Sequence, residues 1–160
     1  MYLAERDGHF QDAQLEEFYP HVIEEFELPD DVPEEIEKEF REAEVCAGIG
    51  ANRAAAALFR SALEKTLKLN GYVKQGNRLK DLYAKIDEAS SDHVITDPLR
   101  RRAHDEVRTL GNDVLHDEWR IVTDDEVALA HRYTQRIIEA FYDTRDEVEK
   151  ILKAKNRIPP

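Results

Sequence analysis

The sequence predicts an all-α protein, an antiparallel bundle of four to five helices. Three observations carry that expectation. Apolar residues recur at spacings of three and four in several long segments, no stretch alternates as a strand would, and helix start and stop residues stand in the gaps between the segments. No repeat at a fixed period stands out. At 160 residues the chain is long enough for one domain, and a domain of that size removes roughly 68–70% of its unfolded surface from water.

Residues 1–32 show little apolar periodicity and a cluster of carboxylates, Glu24, Glu25, Glu27, Asp30 and Asp31, and are read as an acidic N-terminal arm. Phe10, Phe18, Tyr19 and Phe26 are unusual in a disordered segment and suggest docking on the domain or on a partner. The helical domain is expected over 33–155. It opens at Asp31-Val32-Pro33-Glu34-Glu35, where proline suits a first turn and the acids favour the positive end of the helix dipole. Ile36, Phe40, Ala43 and Ala47 follow, and Gly48-Ile49-Gly50 should end that helix. A second helix is expected from Ala51 or Asn52 to Asn70, with Gly71 as a left-handed cap. The third starts from Asn77, presents Leu79, Leu82, Tyr83 and Ile86 on one face, and ends at Ser90-Ser91. The fourth starts at Thr96-Asp97-Pro98 and stops at Gly111, after which Asn112 caps a further short turn. The fifth opens with the capping box Thr123-Asp124-Asp125-Glu126 and continues as one long helix past Ile151.

Composition narrows the function. Cys46 has no partner within the chain, so it is read as a small apolar residue in a packed helix. No segment approaches the ~18–20 apolar residues of a membrane span, and no leader pattern opens the chain, so a cytoplasmic protein is expected. The net charge of −12 opposes nonspecific binding to nucleic acid. It is unevenly spread: residues 1–52 carry 16 acids against 3 bases, whereas residues 53–108 carry 8 against 12.

The sequence holds no phosphate-binding glycine loop, no nucleophile elbow, no paired-cysteine motif and no His-Glu-x-x-His, and no cofactor or metal is expected. His104 and Arg108 lie four apart and would share a helix face, but a metal site built on them with Asp105 is disfavoured. The distinctive segment is Arg108-Thr109-Leu110-Gly111-Asn112-Asp113-Val114-Leu115-His116-Asp117. A break at Gly111 would bring Arg108, Asn112 and His116 together at the end of the bundle. The guanidinium suits a developing pentavalent phosphate and the imidazole suits proton transfer near neutral pH, which together fit metal-free cleavage of RNA by its own 2′-hydroxyl. The alternative is a structural network in which Arg108 bonds Asp113 or Asp117 and His116 satisfies a loop carbonyl.

With Glu42-Ala43, Ala54-Ala55-Ala56, Leu58-Phe59-Arg60-Ser61-Ala62-Leu63-Glu64, Leu79 to Ile86, and the Arg108 to Asp117 segment, residues 33–150 resemble the domain-of-unknown-function family 4145, which belongs with the HEPN superfamily. The resemblance implies a HEPN-like helical bundle that often dimerises, found alone or joined to defence proteins in bacteria and archaea. It further implies relatives that are metal-independent ribonucleases, with an Arg and a following His meeting their counterparts across the dimer. Here seven residues separate Arg108 from His116, longer than the usual spacing. Arg60, Glu64 and Asp117 form the expected supporting polar cluster, with Glu64 pairing with Arg60 or reaching Arg108.

The leading expectation is therefore a homodimeric helical module that binds a protein partner in a prokaryotic defence or nucleic-acid-processing system. The rival is a metal-independent endoribonuclease with RNA as substrate, using Arg108, Asn112 and His116. A third reading, an acidic regulator or nucleic-acid mimic, draws on the charge of residues 1–52.

Overall fold

The apolar stripes of the sequence close into an all-helical bundle in which one helix packs against four others. A computed structural model describes residues 25–73, 82–116 and 120–160, with residues 106 and 108–116 described by their backbone. Six helices follow one another: α1 (Glu34–Gly48), α2 (Asn52–Leu69), α3 (Leu82–Ser91), α4 (Asp97–His116), α5 (Asp124–Tyr142) and α6 (Arg145–Ala154). Among the described residues there is no strand. No helix among them is long and apolar enough to cross a membrane.

α1 and α2 form an antiparallel hairpin. Its turn is closed by the amides of Gly50 and Ala51, which donate to the carbonyls of Ala47 and Cys46, with Gly50 at φ 72°. α2 packs on α1, α5, α4 and α3, which places Phe59, Ala62 and Leu67 at the centre of the core beside Ile36, Phe40, Ile137, Ile138 and Phe141. α4 runs alongside α5, where Arg102 donates to the Tyr133 hydroxyl at 3.1 Å. The capping box forms as expected: Glu126 N–H donates to Thr123 Oγ1, and the Glu126 carboxylate accepts from Thr123 N–H at 2.9 Å.

Two expected boundaries are corrected. α4 does not stop at Gly111 but continues through Asn112 to His116. One interior glycine costs only about 1 kcal/mol, which a helix that packs on α5, α3 and α2 absorbs. The long last helix is two helices, divided at Asp143-Thr144, where Thr144 adopts φ −120°, ψ 55°. Asp and Thr are weak helix formers, and the break lets α6 bury Val148 and Leu152 while Arg145 Nη1 reaches Asn70 Oδ1 at 2.5 Å. Both halves keep the 3.6 period, so the apolar pattern runs through a change in direction. The start expected at Asn77 for α3 lies outside the described residues.

Beyond α6 the chain returns to the residues that follow α2 and to the end of α3. Arg157 bonds Asp92 Oδ2 and Glu88 Oε2, each at 2.7 Å, and lies over the Tyr72 ring. Gly71, at φ 86°, leaves no room there: a Cβ would stand 2.0 Å from the Arg157 carbonyl oxygen. Gly50 has the same left-handed backbone and open space around it. Gly50→Ala should therefore cost about 1–2 kcal/mol from backbone strain, and Gly71→Ala distinctly more, because the crossing segment must move. Equal losses of denaturant midpoint in the two variants would refute the close approach.

Candidate functional site

The continuity of α4 decides how its polar residues are arranged. Positions 108, 112 and 116 are each four residues apart in one unbroken helix, so Arg108, Asn112 and His116 occupy one stripe, with about 12 Å of helix axis between the first and the last. The fold-back that would join them at a chain break does not occur. Asp117 lies outside the described residues.

The stripe extends toward the start of α4 through His104 and Arg100, again at steps of four. Here the surroundings are defined. Asp87 of α3 places Oδ1 3.0 Å from His104 Nε2 and 3.0 Å from Arg100 Nη1. Arg100 also donates to Asp97, at 2.9 Å through Nε, and Arg101 reaches the same carboxylate. Hydrogen bonds from Arg100 and Arg101 hold the Asp97 carboxyl below its ordinary value. The Tyr83 ring meets the His104 imidazole edge-on, 5.0 Å between centroids. Among the described residues no group of three or more His, Cys, Asp and Glu is placed to hold a metal ion.

Of the expected supporting residues, Glu64 pairs with the buried Lys85 of α3 at 2.6 Å, and no ion pair joins it to Arg60 among the described residues. Arg60 is half-buried on α2. Between the start of α4 and the second half of α5 lies an open groove of about 630 Å³, lined by Leu99, Arg102, Tyr133, Arg136, Glu139 and Asp143. Burial raises the Glu139 carboxyl, and the neighbouring Asp143 raises it further against the pull of Arg136.

A second polar centre lies deeper. Glu44 of α1 is fully buried, and its carboxylate accepts from Phe26 N–H at 2.9 Å, Arg41 Nη1 at 2.7 Å and His131 Nε2 of α5 at 2.7 Å. Arg41 also donates to the Phe26 carbonyl, and Gln135 to that of Glu27. The Phe26 ring stacks on His131 with centroids 3.8 Å apart, and Phe59 stacks near the same imidazole at 4.9 Å. The end of the acidic arm is thereby fixed to the bundle; residues 1–24 lie outside the described residues. Burial raises the Glu44 carboxyl, but the bonds from His131, Phe26 and Arg41 outweigh it and leave the group below the ordinary carboxylate range. Sequence reading missed this pair because its partners are 87 residues apart. The one local signal is a carboxylate on the apolar stripe of α1, one turn after Phe40.

The family model Domain of unknown function (DUF4145) matches residues 41–156, well over half of the chain, and the chain belongs to that family. No curated protein and no solved structure matches it.

Because Glu44 titrates lower in the folded than in the unfolded chain, its contribution is present above the unfolded carboxylate value and is lost as pH falls through the folded one. Urea midpoints should fall on acidification below the carboxylate range, and less so in Glu44→Gln. That variant should itself lose about 3–5 kcal/mol at neutral pH, since it leaves buried donors without their charge partner. An unchanged midpoint would show that the carboxylate does not hold the arm.

Proposed function

We propose that this member of the DUF4145 family is a HEPN-type helical module that pairs with a second copy and engages a protein partner in a prokaryotic defence or nucleic-acid-processing system. The observation that carries the reading is the unbroken α4, which sets Arg108, Asn112 and His116 at equal steps along one stripe. Two such stripes crossing antiparallel about position 112 would set each Arg108 position beside the His116 position of the other copy, the self-complementary arrangement that a two-fold interface requires.

A second reading, a metal-independent endoribonuclease, is favoured by the same stripe. The pairing would give one guanidinium and one imidazole to each of two equivalent places, where Arg stabilises charge on a phosphate and His moves a proton. Its products would carry 2′,3′-cyclic phosphate ends.

Light scattering at micromolar concentration should give twice the 18.6 kDa chain mass, and Asn112→Arg, which places two like charges at the two-fold axis, should return the protein to monomer. A monomeric wild-type mass would overturn the pairing. RNA incubated with the dimer in EDTA separates the two readings: cleavage to cyclic phosphates supports the enzyme, and intact RNA supports the binding module.

A further inference from the structure

We infer that the slot between α1 and α5 which holds Phe26 is a recognition site for an extended segment of a protein partner, an aromatic residue with acidic neighbours, and that residues 25–28 occupy it in cis. The inference deepens the protein-partner part of the proposed function and rests on that part alone, not on the pairing through α4. It starts from the atoms that the bundle holds. Glu44 of α1 accepts from Phe26 N–H at 2.9 Å, Arg41 of α1 donates to the Phe26 carbonyl at 2.8 Å, and Gln135 of α5 donates to the Glu27 carbonyl at 2.9 Å. Polar side chains of two helices thus grip main-chain atoms, a contact open to any extended segment, while a pocket for one side chain supplies selectivity. That pocket is aromatic. The Phe26 ring lies on the His131 imidazole with the planes 10° apart, and the rings of Phe59 and Phe40 stand 4.9 Å and 5.2 Å from the same imidazole. A flat side chain fits there. The flanking charge is complementary: Glu25 and Glu27 are exposed, as are Arg132 and Arg136 of α5, each next in sequence to a residue that touches the segment.

The occupant is also able to leave. Residues 25–33 belong to no helix, and Phe26 is only half-buried, so its place opens to the surface. Its departure unwinds nothing. With Phe26 gone, Glu44 and His131, both buried while it is seated, offer an acceptor and a ring face to an incoming chain. A segment tethered this closely acts at an effective concentration on the order of millimolar. The partner's segment must therefore outcompete it, which makes the contact of residues 25–28 autoinhibitory.

The test uses a fluorescein-labelled peptide of residues 21–31, read by anisotropy against full-length wild type and Phe26→Ala. We expect Phe26→Ala to bind the peptide at least about tenfold more tightly than wild type, because the competing occupant is lost. A peptide carrying Phe26→Ala, or one N-methylated at Phe26 so that Glu44 has no donor, should bind at least about tenfold more weakly than the parent. Equal affinity of the two proteins, or of the parent and Phe26→Ala peptides, overturns the inference. Light scattering identifies the alternative occupant: a dimeric wild type that becomes monomeric in Phe26→Ala has its slot filled by a second copy, which overturns the assignment to a partner, and an unchanged mass supports it. If Phe26→Ala loses its helical circular dichroism, wild type decides. Its Phe26 amide resonance should move as unlabelled peptide is added to millimolar concentration, and an unmoved resonance is the overturning result. Failure of the peptide leaves the α4 pairing standing, since that is read from the wild-type mass, whereas RNA cleavage to cyclic phosphates overturns the binding-module reading whatever the peptide does.

Discussion

A single buried carboxylate organises much of this fold. Glu44 cannot sit unpaired in an apolar interior, and its three donors come from three separate stretches of chain: the backbone before α1, α1 itself, and α5. Satisfying it fixes the angle of α1 on α5 and forces residues 25–28 to follow α5 rather than leave the surface. The aromatic rings of Phe26, Phe40 and Phe59 then close around His131. The acidic charge of the first third of the sequence is thus partly structural, with one of its sixteen carboxylates taken into the core as a fastener.

How much of this could be read from the amino acids depended on whether the signal was local. Gly48-Ile49-Gly50, Gly71 and Thr123-Asp124-Asp125-Glu126 act through their own backbone, and the turn, the left-handed cap and the capping box lie where those residues put them. Gly111 misled because a glycine inside a packed helix is a small cost set against many contacts, whereas paired glycines at a helix end release the chain. The Asp143-Thr144 corner was invisible because the apolar spacing of α5 continues in phase into α6.

The candidate site divided along the same line. That His104 and Arg108 share a helix face was legible, since both lie in one element. The part played by Asp87 was not, because it arrives from α3. Glu64 took Lys85 as its partner, a choice fixed by how α2 and α3 meet and by no spacing within either. Charged residues on a helix advertise their neighbours one turn away; what they bond across the bundle is settled by packing.

The passage of Arg157 over Gly71 has a consequence for how the protein is made. Tyr72, among the largest fully buried side chains, is covered in part by a residue 85 positions later. During vectorial synthesis the hairpin of α1 and α2 emerges early with its interior face still bare; α3, α4 and α5 cover that face as they follow, but Tyr72 is not capped until the residue after α6 arrives. Apolar surface left open on an incomplete chain invites wrong association, so the first hairpin carries that exposure for the longest share of the chain's emergence.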